Sequence, residues 1–276
     1  MTTGFGRYPV MCVLALLLVA AGRMSAAAVP EPEITRLFSE ANSFFNQAND
    51  LLETNPAQAQ DLYRKTVLRY ERLVAEGIEN GRLYYNIGNV YYRLGDIGRA
   101  ILNYRRAEQF VPNDANLRQN LGFVLEQRQD NIEVQQRQRV LKTVFFWHYD
   151  LPAGVRAVVF AISYGLFWIV LGVRLFWRKP WLHWCLAVFF TVSLLFSGSL
   201  LIDRYRQATN PAGVLIEPEV VARKGDGLSY QPSFEEPLHS GTEFVLLENR
   251  GDWRYVELLD GRRTWIPAPS GELVRK

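Results

Sequence analysis

The stretch from Gly81 to Asp114, GRLYYNIGNVYYRLGDIGRAILNYRRAEQFVPND, decides how the rest of the chain is read. Tyr84, Ile87, Gly88 and Tyr91 recur at three- and four-residue spacing, which marks one face of a helix, and Ala100, Tyr104 and Ala107 mark the face of a second. Gly95 stops the first helix, Asp96 caps the next and Pro112 ends it. Gly88 and Ala100 carry almost no side chain, so the two helices can approach closely as an antiparallel pair, with Tyr91 and Tyr104 filling the space between them.

A helix pair of about 34 residues with these residues in these places resembles the tetratricopeptide repeat. A further unit begins at Ala115, where Leu121-Gly122 repeats the Ile87-Gly88 pair, but no second consensus helix follows. Upstream, Leu37, Ala41, Phe44 and Ala48 share one helical face and Leu62, Thr66, Tyr70 and Leu73 another. They predict a first repeat stretched by an insertion around Asn46 to Gln60, with Asn55-Pro56 starting its second helix and Gly77 stopping it. The repeat region is expected over 33–130. Stacked repeats bury one face and leave a groove on the other. The resemblance assigns Arg82, Tyr85, Asn89, Tyr92 and Arg93 to a concave protein-binding surface, extended by Asn116, Gln119 and Phe123. A solvated face, or one packed on the downstream helix, is the alternative.

Val10 to Ala21 is a short apolar run after Arg7 and before Ser25-Ala26-Ala27-Ala28, which reads as a secretory signal peptide over 1–28, with an uncleaved anchor as the alternative. Two longer apolar segments predict membrane spans at 153–176 and 181–203, behind a helical linker over 131–152. Arg156 and Arg174 are expected to snorkel at the ends of the first span. Arg174, Arg178 and Lys179 lie in or beside the tight turn between the spans, with no acid near, and the positive-inside rule puts that turn in the cytoplasm. A buried helical hairpin in a soluble protein is the competing reading.

Beyond Asn210 short runs alternate apolar and polar residues, as in Val214-Leu-Ile216, Val220-Val-Ala222, Phe244-Val-Leu-Leu247, Trp253-Arg-Tyr-Val256 and Thr264-Trp-Ile266. Turn residues separate them, and a small all-β barrel over 210–276 is expected. The run PLHSGTEFVLLENRGDWRYVELLDGRRTWIP resembles a bacterial SH3-like domain. It lacks an acidic aromatic run near Val220, and Ser270 or Gly271 stands where a ridge tyrosine is expected. Trp253, Tyr255 and Trp265 are either a ligand face or barrel core.

The chain of 276 residues is 49% hydrophobic with a net charge of +3, a balance that gives no basic face for nucleic acid. Its two cysteines form no paired spacing, so no disulfide scaffold or cysteine zinc site is expected. No phosphate loop, HExxH or GxSxG occurs, and the three histidines, His148, His183 and His239, are far apart in sequence. Neither an enzyme nor a cofactor is predicted. The order of signal, repeats, two spans and SH3-like domain resembles the bacterial aerotolerance BatE family. That resemblance implies a multi-pass inner-membrane scaffold in an envelope-stress complex with von Willebrand A-domain membrane proteins and, indirectly, a MoxR-type ATPase. Peptidoglycan binding through the SH3-like domain is the alternative.

The charge of the turn yields a topology test. In a background lacking Cys185, single cysteines at Asn113 and Gly261 should react with an impermeant thiol reagent in intact spheroplasts, whereas one at Lys179 should not. Labelling at Lys179 alone would invert the topology.

Overall fold

The computed structural model describes residues 31–130, 132, 145–149, 151–177 and 179–275. The expected signal peptide, Arg178 and most of the expected linker lie outside the described residues. The helical region comprises α1 (Glu31–Leu51), α2 (Pro56–Ala75), α3 (Gly81–Arg93), α4 (Ile97–Phe110) and α5 (Ala115–Glu126). Asn55, Asn80, Asp96 and Asp114 each accept a backbone N–H of the first turn and so start α2, α3, α4 and α5. Gly77 and Gly95 take positive φ angles of 83° and 79° behind α2 and α3, where a side chain would be strained.

Helices α1 with α2, and α3 with α4, pack as antiparallel pairs, and α5 stacks on α4. Tyr84, Ile87, Gly88 and Tyr91 are buried, as are Ala100, Tyr104 and Ala107. A Cβ on Gly88 would stand 2.6 Å from Cδ1 of Tyr104, so the absent side chain sets how close α3 and α4 come. The insertion expected in the first repeat is a correction: α1 and α2 are 21 and 20 residues long, and only Leu52 to Asn55 connect them. The additional residues lengthen both helices, because the apolar face of each continues through them.

A single-turn helix α6 (Phe146–Tyr149) precedes α7 (Ala153–Phe176) and α8 (Trp181–Thr209), which form an antiparallel hairpin. Both are long and apolar enough to cross a membrane, with mean hydropathy of 2.0 and 2.3. Ser163 and Ser193 meet at 3.0 Å between them, and Phe167 lies 5.9 Å from Phe190. Arg156 does not snorkel. It is only 5% exposed, donates to Ser199 Oγ at 2.7 Å and to the Asp203 carboxylate, and so locks α7 to α8 through paired charge. At the other end Arg174 donates to Nε2 of His183 at 2.7 Å.

The C-terminal region holds β1 (Ala212–Leu215), β2 (Glu219–Val220), β3 (Leu238–His239), β4 (Glu243–Arg250), β5 (Trp253–Leu258), β6 (Arg263–Pro267) and β7 (Gly271–Leu273). Five of them form an antiparallel sheet in the order β6-β5-β4-β1-β7, and β2 pairs with β3. Strands β3 and β7 have too few residues for an alternating pattern to reveal. The sheet's core gathers around Phe244, with Val256, Leu258 and Ile266 from the same face. Gly213 and Gly271 make room for that ring, since a Cβ on either would fall within 2.7 Å of it.

The helices and the sheet share a surface. Val214 and Val274 belong to the helical core, and a Cβ on Gly98 of α4 would stand 2.6 Å from the Leu215 carbonyl. Glu243 accepts from Arg105 at 2.7 Å and from Arg128 at 3.4 Å, while Arg106 reaches Glu272 at 3.0 Å and the Leu273 carbonyl at 2.9 Å. Asp130 accepts from the His239 backbone at 2.7 Å, from the Thr242 hydroxyl at 2.5 Å, and pairs with His239 Nδ1 at 2.7 Å. Val74 and Phe110 of the helices and Val274 after β7 line one hollow with Ala153 and Leu200, so both regions lie at the same end of the α7–α8 hairpin.

Burial pushes the Asp130 carboxyl up, but hydrogen bonds from Thr242 and His239 outweigh it and leave the group below its ordinary range. A depressed carboxyl stabilises the fold fully above its unfolded value of about 3.9 and loses that contribution as pH falls through the folded value. Thermal melts between pH 7 and pH 3 should therefore show the wild type losing more stability below about pH 4 than Asp130→Asn does. Parallel curves for the two would refute the role of Asp130.

Candidate functional site: the inner groove of the helical repeats

Helices α1, α3 and α5 are the first members of successive helix pairs, so they line the same side of the stack. Between them lies a hollow of about 350 Å³ whose wall includes Asn89, Tyr92, Arg93 and Phe123. Arg82, Asn116 and Gln119 are exposed and do not line it. Tyr85 stands at its edge: its ring is 5.9 Å from that of Tyr104 and its hydroxyl accepts from Asn120 Nδ2 at 2.9 Å. Phe123 is 53% exposed although its edge meets Tyr92 at 5.8 Å, so the hollow has an apolar lip open to solvent.

Sequence reasoning missed Phe45, Asn49, Tyr104, Asn120 and Val124, which complete the wall. The Tyr104 ring, which fills the space between α3 and α4, also floors the groove. Each inner helix contributes one asparagine to the wall, Asn49 from α1, Asn89 from α3 and Asn120 from α5. Two of them are held by a buried tyrosine of the paired helix. Tyr63 donates to Asn49 Oδ1 at 2.7 Å, and Tyr104 donates to Asn89 Oδ1 at 2.8 Å. Farther along α1, Tyr70 donates to Asn42 in the same way at 2.7 Å.

This arrangement fixes what the groove can offer. Asn89 Oδ1 also accepts from Asn120 Nδ2 at 3.2 Å, so both of its acceptor directions are filled. The Nδ2 donors of Asn49 and Asn89 and the Oδ1 acceptor of Asn120 have no partner among the described residues. A surface with fixed amide donors and an acceptor between aromatic rings suits an extended backbone better than a point charge. Burial pushes the hydroxyls of Tyr63 and Tyr104 above their ordinary range, so they remain donors at neutral pH and the amides stay oriented.

The aromatic residues of the sheet need a different correction. Trp253, Tyr255 and Trp265 lie on the face opposite Val256 and Ile266, because side chains alternate along β5 and β6. Trp265 is buried there by Tyr255, at 5.0 Å between rings, and by Arg250, 4.9 Å above it. The aromatics are thus not the centre of the sheet's core, which Phe244 occupies. Arg250 is tied in turn to Asp226 at 2.9 Å, so the cation closes this face. Among the described residues no three histidine, cysteine or acidic side chains cluster as metal ligands do.

A family model described as a TPR repeat matches residues 88–129, covering the C-terminal part of α3 and all of α4 and α5. A search of curated proteins returns no match. The helical region is therefore TPR-like, and repeats of that kind serve protein–protein interaction.

Asn89 is both a groove residue and the acceptor for a buried hydroxyl. Asn89→Ala should destabilise the chain by about 1 to 3 kcal/mol in urea unfolding, since Tyr104 loses its acceptor. Adding Tyr104→Phe should restore part of that loss. Additive losses would mean that the pair is not coupled.

Proposed function

We propose that the protein is a membrane-anchored scaffold, not an enzyme, which holds an extended segment of a partner protein in the groove between α1, α3 and α5. The observation that carries this reading is the row of asparagines held in place by tyrosines, which leaves unpaired amide groups beside exposed aromatic rings. The two apolar helices support insertion in the bacterial inner membrane, and the charge of their connecting turn supports an extracytoplasmic position for both soluble regions. The antiparallel strands and tight turns of the C-terminal sheet fit an SH3-like domain. Resemblance to the BatE family nominates von Willebrand A-domain membrane proteins as partners, with a MoxR-type ATPase acting indirectly in envelope stress or aerotolerance.

Peptidoglycan binding by the sheet is the second reading, and the half-buried rings of Trp253 and Tyr255 favour it because an accessible aromatic face can receive a sugar. A photoreactive amino acid at Phe123, compared with one at Leu68, separates the two. Leu68 is a suitable control because it is 62% exposed and not part of the groove wall. In native membranes Phe123 should crosslink to a von Willebrand A-domain protein and Leu68 should not. Equal crosslinking from both positions would contradict the groove, and a murein adduct formed only from a probe at Tyr255 would favour the second reading.

A further inference from the structure

Two hollows flank the start of α7, and together they have the chemistry of a lipid. One, of about 570 Å³, has a polar lining that includes Asn113, Arg118 and Arg156. The other, of about 790 Å³, runs between Phe110 and Val74 of the helical region and Ala157 and Leu200 of the hairpin, with Arg204 at its rim. Ala153 and Gln109 line both, so the hollows adjoin.

Three observations indicate a bound anion with an apolar tail. Helix α7 starts at Pro152 with no side-chain cap, whereas α2 to α5 are all capped, so its first N–H groups lack a side-chain acceptor. One turn on, Arg156 is buried at 5% exposure and its Nε has no partner. Of the acids lining the hollows, Glu108 is paired with Arg105 and Asp203 with Arg156, whereas Glu79 accepts only from the neutral Tyr84 hydroxyl and keeps its charge. Arg118 and Arg204 have no acidic partner among the described residues, which leaves one unpaired cation at each hollow.

We infer that this junction binds one anionic phospholipid, with its phosphate over the start of α7 between Arg118 and Arg204 and an acyl chain along the Ala157–Leu200 furrow. The inference rests on the reading of α7 and α8 as membrane spans. The furrow lies at the hairpin end nearest the soluble regions, where headgroups of that leaflet would stand. A free phosphate would leave the apolar part of the larger hollow, between Val74, Phe110, Ala157 and Leu200, empty. A lipid fills both, and it would tie the repeats to the membrane through α7.

The test uses the full chain purified in detergent, native mass spectrometry and added phosphatidylglycerol. The wild type should retain one such lipid in the presence of millimolar inorganic phosphate. The double variant Arg118→Gln and Arg204→Gln, which alters two exposed and unpaired cations, should bind it about tenfold more weakly or worse. Ala157→Phe, which fills the furrow, should also reduce retention while leaving phosphate-dependent shifts unchanged. Displacement of the lipid by phosphate, or equal retention by all variants, would overturn the site. Alkaline carbonate extraction of native membranes keeps the two failures apart: release of the chain refutes the spans and the site with them, whereas a retained chain with unaltered lipid binding refutes the site alone.

Discussion

Glu243 sits between Arg105 of α4 and Arg128 beyond α5, and its carboxylate joins the sheet to the last turns of the helical repeats. The exposure of its side chain is 14%, so water screens the pair weakly and the geometry counts for more than in a surface ion pair. That geometry is available only because Gly98 lets the β1 backbone lie against α4. Apolar contact and paired charge act together here: Val214 and Val274 extend the helical core into the sheet, and the arginines satisfy the acids at its border. Neither region then has a complete surface without the other.

This union shapes what each region can bind. The sheet covers the outer side of α4, so the inner side formed by α1, α3 and α5 remains the open one. Tyrosines buried in the helix pairs hold the asparagines of that open side, which couples groove chemistry to core packing. Asn89 illustrates the consequence, because the same atom that closes the network with Tyr104 and Asn120 dictates that only its amide nitrogen is left for a ligand. At the opposite edge, Arg156 and Asp203 fasten the hairpin just below the repeats.

Local rules made much of this legible. The caps at Asn55 and Asp96, the helix-stopping glycines Gly77 and Gly95 and the buried faces around Gly88 and Tyr104 all follow from short-range pattern. So do the two apolar helices. What the pattern cannot carry is contact between residues far apart in the chain, such as Arg105 with Glu243, because neither residue differs locally from a solvated charge. The first repeat misled for a related reason: long helices keep the same apolar period, so extension and insertion look alike until the ends are seen. Trp265 stays ambiguous in the sequence because a large ring can be buried on either face of a strand, and the parity of Ile266 decides which. Asn49 and Asn120 carry no hydrophobic signal, and only their shared place on successive inner helices reveals them.

The central claim is that the repeats and the sheet are one cooperative body. Hydrogen–deuterium exchange of the full chain in detergent, comparing wild type with Glu243→Ala, tests it most directly. The account predicts that amides of α4 lose protection together with those of β1 and β4, since the substitution takes from Arg128 its acidic partner and leaves Arg105 with Glu108 alone, cutting both ties to the sheet. Faster exchange confined to the sheet, with α4 protected as in the wild type, would contradict it.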